Sequence, residues 1–187
     1  MDEEKAKGPG AKVLHYWRSI ADGGVAALLI GLTVFGVIAA DMGSGFAMTY
    51  WVFMPVAFGV GSLVLMTVHG AGGASAPEAL IRLALHWLGA FAAVRIVFYF
   101  VETDRYTLGN AGMACGAIIA LAAFLDGVHM QWRMAPIGLA LLAAAGVIAF
   151  FGENMFVIAS VLLLGLVGTV MVSRMQGGSR GAETPAE

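Results

Sequence analysis

The chain has 187 residues, of which 60% are apolar and only 12% charged, with a net charge of −2. A water-soluble domain carries about 25% charged residues to wet its surface, and a chain this short has no core large enough to hide so much apolar side chain. Lipid is therefore the expected solvent. The slightly acidic balance without a long basic run argues against nucleic acid as a partner, and the single cysteine, Cys115, rules out an internal disulfide framework, a CxxC redox pair and a thiolate metal cage.

Residues 1–12 are charged and broken by Gly8, Pro9 and Gly10, which predicts a disordered tail. Across 13–22, Val13, Trp17 and Ile20 fall on one helical face. Lys12, His15, Arg18 and Asp22 fall mostly on the other, the pattern of a short amphipathic helix lying at the membrane interface. Six apolar stretches follow, at 23–41, 47–69, 78–101, 107–127, 134–151 and 154–173, each near the roughly 20 residues needed to cross a bilayer. The last division rests on Gly152, Glu153 and Asn154 as a tight turn, because an uninterrupted helix over 134–173 would overshoot any bilayer. Pro55 and Pro136 are expected near the starts of the second and fifth helices, where a missing N–H costs least. Residues 174–187 read as a second disordered tail.

The first forty residues have some marks of a cleaved leader, with a basic flank and Ile38, Ala39 and Ala40 as a processing site. The apolar run is long for a signal and its flank is partly acidic, so a retained first span is the expectation. Lys5, Lys7, Lys12, Arg18, Arg82, Arg133, Arg174 and Arg180 fall on one side of a six-span layout. Only Arg105, with Arg95 a little below it, falls towards the other. Basic residues stay inside, which predicts both termini in the cytoplasm and the protein in the inner membrane. In size and in its layout of three short hairpins the chain resembles the HdeD-type small membrane proteins, a resemblance of topology that implies a link to acid resistance.

The ionisable residues are unevenly spread. His15, Arg18 and Asp22 share a face before the first span, Glu78, Arg82 and His86 do so on the third, and Asp126, His129 and Arg133 at the end of the fourth. With His69, all three groups fall on the cytoplasmic half. Such a cluster predicts a polar vestibule able to relay protons, sense pH or hold an anion, since histidine titrates near neutrality. The competing reading is that these side chains snorkel to the headgroups and pair with their own helical neighbours. Arg95 lies about two turns inside the outer end of the third helix, where an arginine costs up to about 3 kcal/mol. It either reaches outward to Glu102, seven residues on, or faces the bundle interior and pairs with Glu153 or Asp41.

Arg82, His86, Trp87 and Ala90 have the spacing Arg-x-x-x-His-Trp-x-x-Ala, which resembles a helix of bacterial membrane-bound b-type cytochromes. That resemblance implies haem b with His86 as an axial ligand, and a second imidazole from His69 or His129 at matching depth. No metal site is expected otherwise. Gly112 and Gly116 form a GxxxG on the fourth helix and predict a close helix contact within or between subunits. Tyr50, Trp51 and Phe53, then Phe98, Tyr99 and Phe100, then Trp132 read as interfacial aromatic belts. No GxSxG, HExxH, Walker loop or dinucleotide-binding fingerprint is present.

The sequence thus predicts an all-α, polytopic transmembrane bundle of about six helices and a non-enzymatic role as an accessory, assembly or stress-related component. Its partners would be the bilayer, further copies of itself or other membrane proteins, met through helix faces. The alternative is a small oligomeric channel or proton-linked transporter using His86, Arg82, Glu78, Asp126, His129, Arg133 and Arg95. A haem-b electron carrier is the third reading.

Overall fold

A computed structural model of the chain describes residues 9–69 and 76–151, with side chains described for 22–69 and 77–148. The described residues form five helices, α1 (Pro9–Asp41), α2 (Ala47–His69), α3 (Ala76–Glu102), α4 (Leu108–His129) and α5 (Met134–Phe151), and no strand. The chain divides after Gly146 into two compact units, the first of which contains α1–α4 and most of α5. Four helices are long and apolar enough to cross a membrane: α1 from Asp22, α2, α3 from Pro77, and α4. Met134–Ile148 is a shorter apolar helix, and the expected sixth span, 154–173, lies outside the described residues, as does the tail 174–187.

Two expectations at the N-terminus need correction. Residues 9–12, expected in a disordered tail, are already helical, and the amphipathic stretch 13–22 is the first part of α1 rather than a separate helix. The helix runs on through Gly23 and Gly24. A glycine costs a helix only about 1 kcal/mol, whereas a proline costs about 3, and no proline follows Pro9 in α1. Pro55 also falls differently from its expected position, lying nine residues into α2 and buried. A proline there removes one backbone bond, which neighbouring helices offset in a membrane bundle.

The helix ends are built by local chemistry. α1 stops at Gly43, whose φ of +69° takes the left-handed conformation that glycine adopts freely. Ser44 N–H then bonds the Ala39 carbonyl and Gly43 N–H the Ala40 carbonyl, each at 3.0 Å, closing a Schellman cap. α3 ends the same way on Asp104, at φ +56°, with Arg105 N–H on the Phe100 carbonyl at 2.8 Å. α4 opens on Thr107, whose hydroxyl accepts the Asn110 N–H at 3.2 Å. Thr107→Ala should lower stability by about 1 kcal/mol, read as a fall in melting temperature in detergent.

The described helices run up and down in turn. α2 and α4 touch each other and form the middle of the bundle, with α1 and α3 each packed against both. More than half of the α4 span is buried, against a third or less of the other three. Trp51, Phe58 and Leu65 of α2, Val94 and Phe98 of α3, and Cys115 and Ile119 of α4 fill the core. Outward faces carry Leu28, Phe53, Val60, Leu85, Leu88 and Ile96, all more than half exposed. So much apolar surface facing out suits lipid rather than water.

The aromatic belts are only partly peripheral. Phe53 and Tyr99 are exposed and Trp132 is 77% exposed, but Trp51 and Phe98 are core residues. Trp51 Nε1 donates to the Gly36 carbonyl at 3.2 Å and Tyr50 hydroxyl to the Leu32 carbonyl at 2.6 Å, fastening α2 to α1. The α4 glycines sit against the same helix. A Cβ on Gly112 would meet the Ala40 methyl at 2.5 Å, and one on Gly116 the Val37 Cγ2 at 3.3 Å.

Candidate functional site: a buried carboxylate among three helices

Asp126 lies one turn before the end of α4, on the face that α4 turns to the core together with Ile119, Ala122 and Ala123. It is 0% exposed, and neither carboxylate oxygen has a hydrogen-bond partner. Three polar side chains face it. Ser62 comes from the buried stripe of α2, Trp87 from α3, and His86 from the residue before. The Trp87 indole N–H is itself buried without a partner, so serine and indole approach the carboxylate without closing hydrogen bonds of ordinary length. Phe58 flanks Trp87 with ring centroids 5.6 Å apart and keeps this side apolar.

His86 is fixed by contacts on two sides. Its Nε2 lies 2.9 Å from the carbonyl of Ala122, one turn before Asp126 on the same face of α4. A carbonyl only accepts, so Nε2 carries the proton and donates, and Nδ1 is left as the nitrogen able to take up or release a further one. The Trp87 ring stands edge-on to the imidazole at 5.3 Å. A carboxylate, an imidazole with one uncommitted nitrogen, a hydroxyl and an indole N–H therefore gather in an apolar setting. Donors and a base suit a carboxyl group that exchanges a proton; an indole N–H has no lone pair to offer a metal cation.

The expected vestibule is regrouped rather than retained. The trio Glu78, Arg82 and His86 separates: Glu78 and Arg82 are exposed on α3, and only His86 turns inward. Asp126, His129 and Arg133 separate too. His129 is exposed, with Nδ1 2.8 Å from the Leu125 carbonyl, and Arg133 Nε lies 3.2 Å from Asp22 Oδ2. That same oxygen is 3.3 Å from Nε2 of His69, the last residue of α2. A second cluster of Asp22, His69 and Arg133 thus joins α1, α2 and the turn ahead of α5. Helical spacing finds side chains that share a face, and these partners come from different helices.

Arg95 takes the outward option, with Nη2 4.0 Å from the Glu102 carboxylate and 41% of the side chain exposed. Asp41 instead lies beside Gly109, in the first turn of α4. Glu153 is outside the described residues. The histidines named as haem ligands stand apart in depth. His86 is ten residues into α3, about 15 Å along it, whereas His69 and His129 are the last residues of α2 and α4. Among the described residues no three His, Cys, Asp or Glu side chains converge as a metal site would require.

Sequence reasoning gave Ser62 and Gln131 no place in a site and read Trp87 only as part of the haem-like spacing. Ser62 faces the carboxylate that His86 also borders. Gln131, in the turn after α4, is buried with its Nε2 unpartnered. Set against protein-family models, curated proteins and solved structures, the chain matches none of them, so neither resemblance noted in the sequence gains a relative to stand on.

Proposed function

We propose that the protein is a small proton-linked transporter or channel of the inner membrane, with Asp126 as the proton-carrying group and His86 as its partner. One observation carries this reading: a fully buried carboxylate with two unpartnered oxygens, in the most enclosed of the four helices able to cross a membrane. An ionisable side chain within a membrane span is costly, and retaining one where it makes no hydrogen bond is hard to explain by packing. The reading includes six spans and cytoplasmic termini. Its support is the distribution of basic residues: Lys12, Arg18, Arg82 and Arg133 belong to the end of the bundle where α1 begins, against Arg95 and Arg105 towards the other.

The test is proton uptake by proteoliposomes holding a pH-sensitive dye, driven by an imposed potential. Asp126→Asn should lower the rate at least about tenfold, and His86→Ala by a smaller factor, as expected when a positioned acid–base group is lost. Arg95→Ala should change nothing, because Arg95 points to Glu102 and the outside. Uptake that survives Asp126→Asn would sink the transport reading and leave an accessory role, met through helix faces, in its place. Reporters fused at Gly43 or Asp104 test orientation separately: activity inside the cell would overturn the assignment of the cytoplasmic side.

A further inference from the structure

The second cluster has a chemistry of its own. His69 Nδ1 lies 3.0 Å from the Leu65 carbonyl, which only accepts, so Nδ1 carries a proton. His69 Nε2 lies 3.3 Å from Asp22 Oδ2, an oxygen that also takes the Arg133 guanidinium at 3.2 Å. A carboxylate paired with arginine is ionised and likewise only accepts. The ring therefore bonds both of its neighbours only with a proton on each nitrogen. Asp22 from α1 and Arg133 ahead of α5 are the charged groups that face it, while His129 at the end of α4 bonds its own Leu125 carbonyl.

The cluster also has a particular position. Ser62, Leu65 and His69 lie in line along α2, and the seven residues from Ser62 to His69 span about 10 Å. Ser62 faces Asp126, so the cluster lies beyond the buried carboxylate, towards the end of the bundle where α2 and α4 finish. Two more buried polar atoms without partners belong to this end, Asp22 Oδ1 and Gln131 Nε2. Buried polar groups in native proteins are met by partners or by ordered water, so these two atoms mark where water would be drawn in from this end, ahead of the apolar Leu65.

We propose that Asp22, His69 and Arg133 form a proton-binding latch that closes the approach to Asp126 from this end of the bundle. The proposal rests on the reading of Asp126 as the proton-carrying site, but it is measured independently of transport. With the proton on Nε2, His69 ties α2 to α1. When one of the two protons leaves for water the imidazole becomes neutral and holds a single proton for two acceptors. The ring can then no longer bond Leu65 and Asp22 together, and the tie between the helices weakens. Arg133 becomes the stronger hold on Asp22.

Access to the buried site can be read with a thiol. Ser62→Cys, in a Cys115→Ala background, puts one reactive group beside Asp126, and a small water-soluble methanethiosulfonate reports its exposure in reconstituted full-length protein. At acid pH, where both ring nitrogens hold protons, His69→Leu should speed labelling about tenfold over the parent, the shift that one charge-assisted hydrogen bond controls in a closed–open equilibrium. The ratio should fall towards one as pH rises, since the parent then opens by itself; comparing variants at each pH cancels the reactivity of the thiolate. Asp22→Asn, nearly isosteric, should act like His69→Leu and carries the test if that variant does not fold. Glu78→Gln, on an exposed residue, should match the parent throughout. Equal labelling at every pH, or an acceleration that ignores pH, would overturn the latch. Latch behaviour as expected with uptake untouched by Asp126→Asn would instead remove the proton-carrying role of Asp126 and leave the latch standing.

Discussion

Asp126→Asn should melt higher than the parent protein while losing proton uptake. The carboxylate is wholly buried and makes no hydrogen bond. A buried polar group left in that state costs about 1–3 kcal/mol, and more when it is charged. An amide has nearly the same shape and, being uncharged, is easier to desolvate. Stability should therefore rise by about 1–3 kcal/mol, measured as the unfolding midpoint of the detergent-solubilised protein. Opposite changes in stability and uptake are the signature of a group kept for function at a cost to the fold. A variant that melts lower would show the carboxylate to be a structural fastening, with partners that form only in the membrane.

The apolar character and the helices were open to reading because they depend on composition and on local breaks. The links 42–46 and 103–107 follow from Gly43, from Asp104 and from Thr107, residues whose side chains or backbone freedom act within a turn of themselves. The first helix boundary was misread for the complementary reason: the amphipathic pattern of 13–22 gives way to an apolar run at Gly23, but a change of face is no break, and two glycines cost too little to stop the helix there. The site was legible only as an inventory. His86 and Asp126 were both singled out, each with neighbours on its own helix, because periodicity reveals which residues share a face. It does not reveal which face turns inward. Glu78 and Arg82 lie a turn apart on the same helix as His86 and still point out to the surroundings, since among the described helices α3 packs mainly against α2 and α4. Arg133 found Asp22, and His69 the same oxygen, across contacts between residues more than forty positions apart in sequence. No spacing rule reaches that far.

Gly138→Ala and Gly127→Ala should be among the most damaging single-methyl additions in the chain, although neither glycine belongs to the GxxxG pair that draws the eye. A Cβ on Gly138 would run into the backbone nitrogen and Cα of Phe124, and would lie 2.8 Å from the Ala120 carbonyl; one on Gly127 would run into the backbone of Ala135. At these two points α4 and α5 touch main chain to main chain, the close approach that small residues permit in a membrane. At Gly112 and Gly116 the obstructing atoms are the side chains of Ala40 and Val37. The valine at least can turn aside. Backbone cannot yield without moving its helix, so Gly138→Ala should cost about 3 kcal/mol or more, at the upper end of overpacking effects. Gly89, which meets nothing within 4 Å, provides the contrast. There alanine should be neutral or should gain up to about 1 kcal/mol from helix propensity alone. Denaturant titration of the three variants in mixed micelles would order them, and a Gly138→Ala protein as stable as the parent would mean the two helices do not approach so closely. The effect should also reach the site. Gly127 follows Asp126 directly and packs against Ala135, two residues past Arg133, so a methyl group there would displace the buried carboxylate and the latch together.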